Sequence, residues 1–312
     1  MAAVLSGASV ATAASLYSSA WILGDSLSDS GNLYTATGGA VPENPPYFEG
    51  RRSNGPVWAE YITGDFAAKG LPAENLAFAV GNANENDDIA LGRPLQIPDL
   101  PQQIVDFQAK SVGQLGARPL ASFWFGANDV FGAITANPTP GNVLGVAQAA
   151  ANAVADGIET LTGLGVQDFL VFNLPALDRT PLFSPTAAAP LAALGTATFN
   201  ATLAGRIAAL SAGQQVTTID AFALFNALID DPLAFGVSDA TNPCFIPGVS
   251  LCTPEQADER AFFDPLHPNR VIHEQIASIV REQVAPVPLP LSGLLLAGGI
   301  VALVALRRPT RA

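Results

Sequence analysis

The sequence is poor in charged residues, and those present are mainly acidic. Only 13% of its 312 residues are charged, and 14 Lys and Arg residues are set against 27 Asp and Glu residues, which gives a formal net charge of −13. A protein that binds nucleic acid needs clustered basic side chains to displace counterions from the phosphates. The body of the sequence has no such cluster, so nucleic acid is excluded as an expected partner.

Histidine and cysteine are also scarce, with two residues of each. The sequence contains neither an HExxH nor a CxxC motif, which argues against a zinc site. The stretch 84–88, Asn-Glu-Asn-Asp-Asp, suggests calcium ligands, but clustered carboxylates are more often a solvated loop. We therefore predict neither a metal site nor a cofactor.

Both ends of the chain carry features of export signals. Residues 1–14 are small and mainly apolar, with A-x-A patterns, and favour the remnant of a secretory signal peptide, although a basic start is missing. A disordered Ala/Ser tail is the alternative. At the other end an apolar segment, 287–306, precedes Arg307, Arg308 and Arg311. Arginines just beyond an apolar span keep that end cytoplasmic, which places the preceding residues outside. A buried core helix fits this pattern poorly.

The Val-Pro-Leu-Pro stretch at 287–290, the apolar segment and the terminal arginines resemble bacterial sorting signals of the PEP-CTERM/VPLPA type. The resemblance implies an exosortase-like processing partner and a sorting signal over 286–312. We expect an exported protein, periplasmic, at the cell surface or extracellular, that is at least transiently anchored in the bacterial inner membrane. Its functional domain is then 15–285.

Cys244 and Cys252 lie eight residues apart in a proline-rich stretch. In an exported protein this spacing favours a local disulfide, with two free thiols as the alternative.

Short apolar runs alternate with longer helical patterns along the chain. Runs that predict buried strands lie at 21–23, 122–125, 169–172 and 216–219, and a further strand leads into 78–83. Apolar residues at helical spacing predict helices over 142–161 and 190–210. This alternation predicts an α/β fold with a parallel sheet and helices on both faces. Ligands of such sheets bind at the carboxyl ends of the strands.

Polar residues follow the predicted strands at those ends. The first strand leads into GDSLSDSGN, in which Ser26 is the first hydroxyl, whereas Ser28 and Ser30 fit a turn or a helix cap. A serine needs a base before it acts as a nucleophile. His267 stands in a proline-bracketed loop three residues after Asp264, a spacing that allows the carboxylate to hold the imidazole. An ordinary loop Asp and His are the alternative, and His273 reads as a residue of the following helix.

Two further segments offer groups that hold an oxyanion. Asn128 follows the strand at 122–125 and has an amide that can donate into the same crevice. Gly81, in the stretch FAVGNA, lets a backbone N–H approach a substrate closely. Each of these signals is weak alone, because Gly-Asn turns are common.

Together, GDSLSDSGN, the glycine of FAVGNA, GAND and DPLH resemble, in that order, the four blocks of the GDSL/SGNH hydrolases over about residues 21–284. The resemblance implies a three-layer α/β/α fold of the flavodoxin-like type with about five parallel strands. It also implies a Ser26–His267–Asp264 triad and an oxyanion hole formed by Ser26, Gly81 and Asn128. The cysteines look like the paired cysteines of secreted members. Members often have Gly-Gly where this chain has Gly81-Asn82, so the N–H of Asn82 is an alternative donor. No GxSxG motif occurs here.

The implied activity is that of an exported serine esterase without a cofactor, acting through an acyl-enzyme. Lipids, short-chain esters and acylated polysaccharides are all substrates within the family, and the surface-sorting signal slightly favours polysaccharides. Two other readings stay open. One is a catalytically silent surface or matrix-binding protein that retains the fold. The other is a phosphate-directed hydrolase, which would require metal ligands or a basic pocket.

Overall fold

A five-stranded, entirely parallel sheet forms the centre of the computed structural model. Its strands lie in the order β2-β1-β3-β4-β5. Strands β1, β3 and β4 are fully buried, as their continuous apolar runs predict. The strands are β1 Ser19–Gly24, β2 Ala73–Asn75, β3 Pro119–Trp124, β4 Asp168–Phe172 and β5 Gln215–Ile219, and a separate antiparallel pair consists of β6 Phe245–Ile246 and β7 Ser250–Leu251.

The structure describes residues 16–86, 95–210 and 213–285. Residues 17–283 form one compact unit. The helices are α1 Asn32–Ala36, α2 Trp58–Ala67, α3 Leu100–Lys110, α4 Ala127–Ala136, α5 Pro140–Gly163, α6 Ala189–Ala208, α7 Ala221–Asp230, α8 Pro254–Glu259 and α9 Arg270–Val284, with 3-10 turns at Leu177–Arg179 and Pro232–Phe235.

Alternate residues of the central strands supply two cores, one on each face of the sheet. On one face Leu23 and Phe123 belong to a large cluster with residues of α3, α5 and α6. On the other face Trp124 stacks on Phe172 with ring centroids 4.2 Å apart, and Trp58 of α2 lies 4.8 Å from Phe172. Because both faces are covered by helices, the predicted three-layer α/β/α architecture is confirmed.

The strand order indicates where on this sheet a ligand is expected to bind. From the neighbouring strands β1 and β3 the chain continues in opposite directions across the sheet, to β2 on one side and to β4 on the other. In an open parallel sheet, ligands bind at the carboxyl ends of the strands next to such a reversal. The chain leaves β1 into GDSLSDSGN and leaves β3 into GAND. The two stretches that the sequence singled out therefore emerge side by side.

Gly126 makes the turn from β3 into α4 possible. Its φ is 111°, in the left-handed region, and a Cβ there would lie 2.3 Å from the ring of Phe199. A side chain at this position would be strained by the backbone and blocked by the packing. The glycine thus brings α4, and Asn128 in its first turn, close to the sheet.

Two sequence predictions concern segments beyond the described ranges. The signal remnant at 1–14 and the apolar segment at 287–306 both lie outside them. Within 16–86, 95–210 and 213–285, no helix has the length and apolar character needed to cross a bilayer.

Candidate active site

A chain of hydrogen bonds at the carboxyl end of the sheet links Ser26 to His267 and His267 to Asp264. The Oγ atom of Ser26 is 2.8 Å from Nε2 of His267, although the two residues are 241 positions apart. The Nδ1 atom of His267 is 2.7 Å from Oδ2 and 2.9 Å from Oδ1 of Asp264. Because Nδ1 faces a carboxylate, it carries the proton, which leaves Nε2 free to accept one from the serine hydroxyl.

The Asp264 carboxylate is held by several donors besides the imidazole. Its Oδ1 accepts the backbone N–H groups of Leu266 and His267, each at 2.8 Å. Its Oδ2 accepts the hydroxyl of Tyr47 at 2.6 Å. The loop that carries Asp264 is closed by the N–H of Phe263, which donates to the His267 carbonyl at 2.8 Å. The carboxylate is thus fixed from three directions.

Tyr47 is a positioning residue that the sequence analysis missed. Its ring is buried and meets Phe245 and Phe263 edge-on, with centroids 5.5 and 5.4 Å apart. Burial, followed by the charge of Asp264, raises the pKa of the Tyr47 hydroxyl, so it stays a donor. No local pattern marks Tyr47, because its partner is 217 residues away.

Two buried carboxyl groups near the serine have pKa values shifted in opposite directions. Burial alone would raise the pKa of Asp264, but the neighbouring His267 and the hydrogen bonds from His267 and Tyr47 lower it to about 2. Burial raises the pKa of Asp25 to about 7; the hydrogen bond from the Leu27 N–H lowers this pKa, and the charge of Asp129 raises it further. Asp264 is therefore ionised beside the histidine, while Asp25 is largely neutral at pH values below 7.

Asp29 ties the serine loop to the neighbouring segment. Its buried carboxylate accepts four backbone N–H groups at 2.6–3.2 Å, from Gly31, Asn32, Leu33 and Ala79. Burial raises the pKa of Asp29 and these four donors oppose the rise. Asp29, not Ser30, thus caps α1, and Ser28 accepts the indole N–H of Trp58 at 3.2 Å. The serine nearest the sheet is left as the one that faces the histidine.

Two groups at the site have donor capacity left for an oxyanion. The backbone N–H of Ser26 has no acceptor among the described residues. The side-chain amide of Asn128 uses one N–H on the carbonyl of Gly81, at 2.8 Å, and retains the other. Both Ser26 and Asn128 line the same cleft.

The expected donor at Gly81 is not presented as the sequence suggested. The N–H of Gly81 donates to the Phe78 carbonyl at 2.9 Å, and that of the alternative, Asn82, donates to Asp99 at 2.7 Å. Val80, directly before Gly81, has a φ of 74°, which is a strained conformation for a branched residue. In this structure the segment contributes through the carbonyl of Gly81, which orients Asn128.

The site opens into a cleft of about 850 Å³. Polar groups in its lining include Arg52 and His267, and Phe131, with 42% of its surface exposed, is a large apolar side chain there. A cleft of this volume is large enough for a small ligand or one end of a longer one.

The remaining sequence-predicted residues lie away from the serine. His273 is fully buried in α9, where burial lowers its pKa to about 3 and Nδ1 accepts the N–H of Trp58 at 3.4 Å. It is therefore a core residue. Cys244 and Cys252 are joined in a disulfide beside β6 and β7.

Comparison with known proteins matches this chain to a family model and to curated relatives. A family model described as GDSL-like Lipase/Acylhydrolase matches residues 21–280. The phosphatidylcholine-sterol acyltransferase of Aeromonas hydrophila is 31% identical over 227 residues, 72% of this chain and 64% of that one. The thermolabile hemolysin of Vibrio parahaemolyticus is 27% identical over 276 residues, 83% of this chain and 62% of that one. The chain thus spans less than two thirds of either relative.

A solved structure is also similar, at lower identity. The lipase/acylhydrolase from Enterococcus faecalis is 14% identical, with a TM-score of 0.43, and the match covers 85% of this chain and 94% of that one.

Proposed function

Because the chain belongs to the GDSL-like lipase/acylhydrolase family, we propose that it is a serine hydrolase of carboxylic esters. The observation that carries the proposal is the contact between Ser26 Oγ and His267 Nε2, at 2.8 Å, with Nδ1 of the same ring on a buried carboxylate. This is the arrangement in which a serine hydroxyl becomes a nucleophile.

In the proposed reaction His267 takes the proton of Ser26 as Oγ attacks the ester carbonyl. The oxyanion that forms is held by the backbone N–H of Ser26 and by the side-chain N–H of Asn128 that does not donate to the Gly81 carbonyl. His267 then gives its proton to the departing alcohol, which leaves an acyl group on the serine. Water, deprotonated by the same histidine, releases the acid and restores the hydroxyl. Asp264 holds the imidazole and balances its charge, and the steps require no cofactor.

The proposal is tested with the purified chain and a series of p-nitrophenyl esters from acetate to palmitate. We expect hydrolysis of at least one ester and, from the dependence on acyl length, the depth of the acyl site. A fluorophosphonate should label the protein once, and peptide mass spectrometry should place the adduct on Ser26. If no ester is hydrolysed and no label is incorporated, the chain is better described as a surface or matrix-binding protein that retains the fold.

We also propose that the protein works outside the cytoplasm and is sorted there through its C-terminal segment. The Cys244–Cys252 disulfide supports an oxidising compartment. The apolar segment at 287–306 and the arginines after it support a transient anchor and an exosortase-like processing partner. Fractionation of the producing cells, with mass spectrometry of the recovered chain, tests this. Recovery from the cytoplasm with both cysteines reduced would contradict it.

A further inference from the structure

Arg52 lines the cleft and, unlike the adjacent Arg51, forms no ion pair with a carboxylate of the described residues. The adjacent Arg51 forms a two-point contact with Glu60, at 2.5 and 3.1 Å. Among the described arginines, only Arg52 and Arg260 have no carboxylate within 4.0 Å, and Arg260 donates to the Pro243 carbonyl at 2.8 Å. Arg52 is half-buried and lines the same cleft as Ser26.

An arginine with no carboxylate partner in the described part of the chain is unusual in a protein with this charge. Acidic residues outnumber Lys and Arg by 27 to 14, so carboxylates are in ample supply. Arg52 is nevertheless the one Arg or Lys in the described lining of the cleft. Its guanidinium lies over the ring of Tyr47, with Cζ 5.3 Å from the ring centroid. Tyr47 in turn donates to Asp264, so the guanidinium is held next to the residues that position His267.

A guanidinium presents several N–H donors in one plane and binds phosphate or carboxylate oxygens at two points. Packing on an aromatic ring orients the plane, and the hydrogen bond to the Tyr47 hydroxyl occupies only one of its several N–H donors. A half-buried site strengthens the attraction relative to one in open solvent. The combination is suited to a negatively charged group on a ligand that occupies the cleft.

Besides its polar residues, which include several asparagines and Asp129, the lining has an apolar part. Phe131 is 42% exposed, and its ring meets Phe183 edge-on at 6.2 Å. Val146, Leu182 and Leu266 add apolar surface to the same cleft. An acyl chain placed against this surface would be removed from water, which favours its binding. The described lining of the cleft thus combines Arg52, an apolar part and Ser26.

We propose that the substrate is an acyl ester that also carries an anionic group, phosphate or carboxylate, and that Arg52 binds this group. The inference rests on the proposed ester hydrolysis, because it concerns the same site. It assigns Arg52 a role in substrate selection and leaves proton transfer to His267.

The test compares the release of butanoate from three soluble substrates that carry the same two butanoyl groups: dibutanoylglycerol, its 3-phosphate and its 3-hemisuccinate. Wild type should show a higher kcat/KM for the two anionic substrates. The Arg52→Gln variant should lose about 10- to 100-fold on them, mainly through KM, and less than about 3-fold on the neutral ester. The relative rates on phosphate and hemisuccinate distinguish the two anions. Arg52→Lys, which keeps the charge but not the planar fork, should fall between wild type and Arg52→Gln.

Arg206→Gln is the matched control, because it removes the same charge at exposed partners, Asp156 and Glu159. It should leave all three rates unchanged. An equal loss on all three substrates in Arg52→Gln would overturn the inference, since it would show that Arg52 acts through Tyr47 on the catalytic residues. Wild-type activity without any preference for the anionic esters would also overturn it. Absence of hydrolysis of every substrate by wild type would instead remove the proposed function.

Discussion

Replacing Ser26 with alanine should lower kcat/KM for p-nitrophenyl butyrate by roughly 10⁴- to 10⁶-fold, without unfolding the protein. The hydroxyl makes one hydrogen bond in the structure, to His267, and the side chain is only 8% exposed. Its loss therefore removes the attacking atom but little packing. The measurements are initial rates with each ester and thermal unfolding of both proteins.

The serine-rich stretch itself provides the control. Ser30→Ala changes the same residue type four positions away, and the Ser30 side chain is hydrogen-bonded to no described residue. We expect its activity within about 3-fold of wild type. Retained activity in Ser26→Ala together with a loss in Ser30→Ala would place the nucleophile elsewhere in the stretch.

Asp264→Asn should reduce kcat by about 10⁴-fold while the fold is retained. If the amide oxygen keeps the N–H groups of Leu266 and His267, the amide nitrogen takes the place of Oδ2 and faces Nδ1. Nδ1 must then accept a hydrogen bond, which moves the ring proton to Nε2. A protonated Nε2 cannot take the proton of Ser26. Tyr47 can rotate its hydroxyl to accept from the new amide.

The same substitution should change the dependence of stability on pH. The pKa of Asp264 is about 2 in the folded protein, below its value near 3.9 in an unfolded chain. Its ionised form therefore contributes stability above about pH 4, on the order of 2 kcal/mol, and the contribution is lost as the pH falls toward 2. The wild type and Asp264→Asn should thus differ most in urea unfolding near neutral pH.

Asp156→Asn, at an exposed position on α5, controls for the loss of a carboxylate and should leave kcat unchanged. Near-normal turnover by Asp264→Asn would mean that the carboxylate does not set the tautomer of His267. A stability difference that persists unchanged at pH 2 would contradict the lowered pKa.

Much of the sheet follows from local sequence because its strands are buried on both faces. The runs at 21–23 and 169–172 are apolar at every position, and they fall within β1 and β4. The edge strand β2, Ala-Glu-Asn, has no apolar pattern, and only its pairing with β1 makes it a strand. The sequence predicted a strand leading into 78–83 but not its bounds, because a three-residue element stabilised by its neighbour has little local signal.

Within the site, the sequence indicated residues that follow strands but not the hydrogen bonds made across the chain. Ser26 and His267 could be paired because the chain offers few bases and the parallel sheet brings strand ends together. The hydrogen bond from the Gly81 N–H to the Phe78 carbonyl accompanies a positive φ at Val80, and no residue pattern predicts that φ. The hydroxyl of Tyr47 and the guanidinium of Arg52 reach the site from a loop without a strand before it.

The separation of Ser26 from His267 has a consequence for the time at which activity can begin. The 241 positions between them are synthesised at about 5–20 residues per second, so the serine precedes its base by roughly 10–50 s. During that interval the growing chain has a nucleophile without a base and an unformed cleft. If the protein acts as proposed, a ribosome-bound chain that ends before His267 has no base to activate Ser26 and should not hydrolyse esters. Activity begins only once the loop that carries Asp264 and His267 has been synthesised and has folded against Ser26.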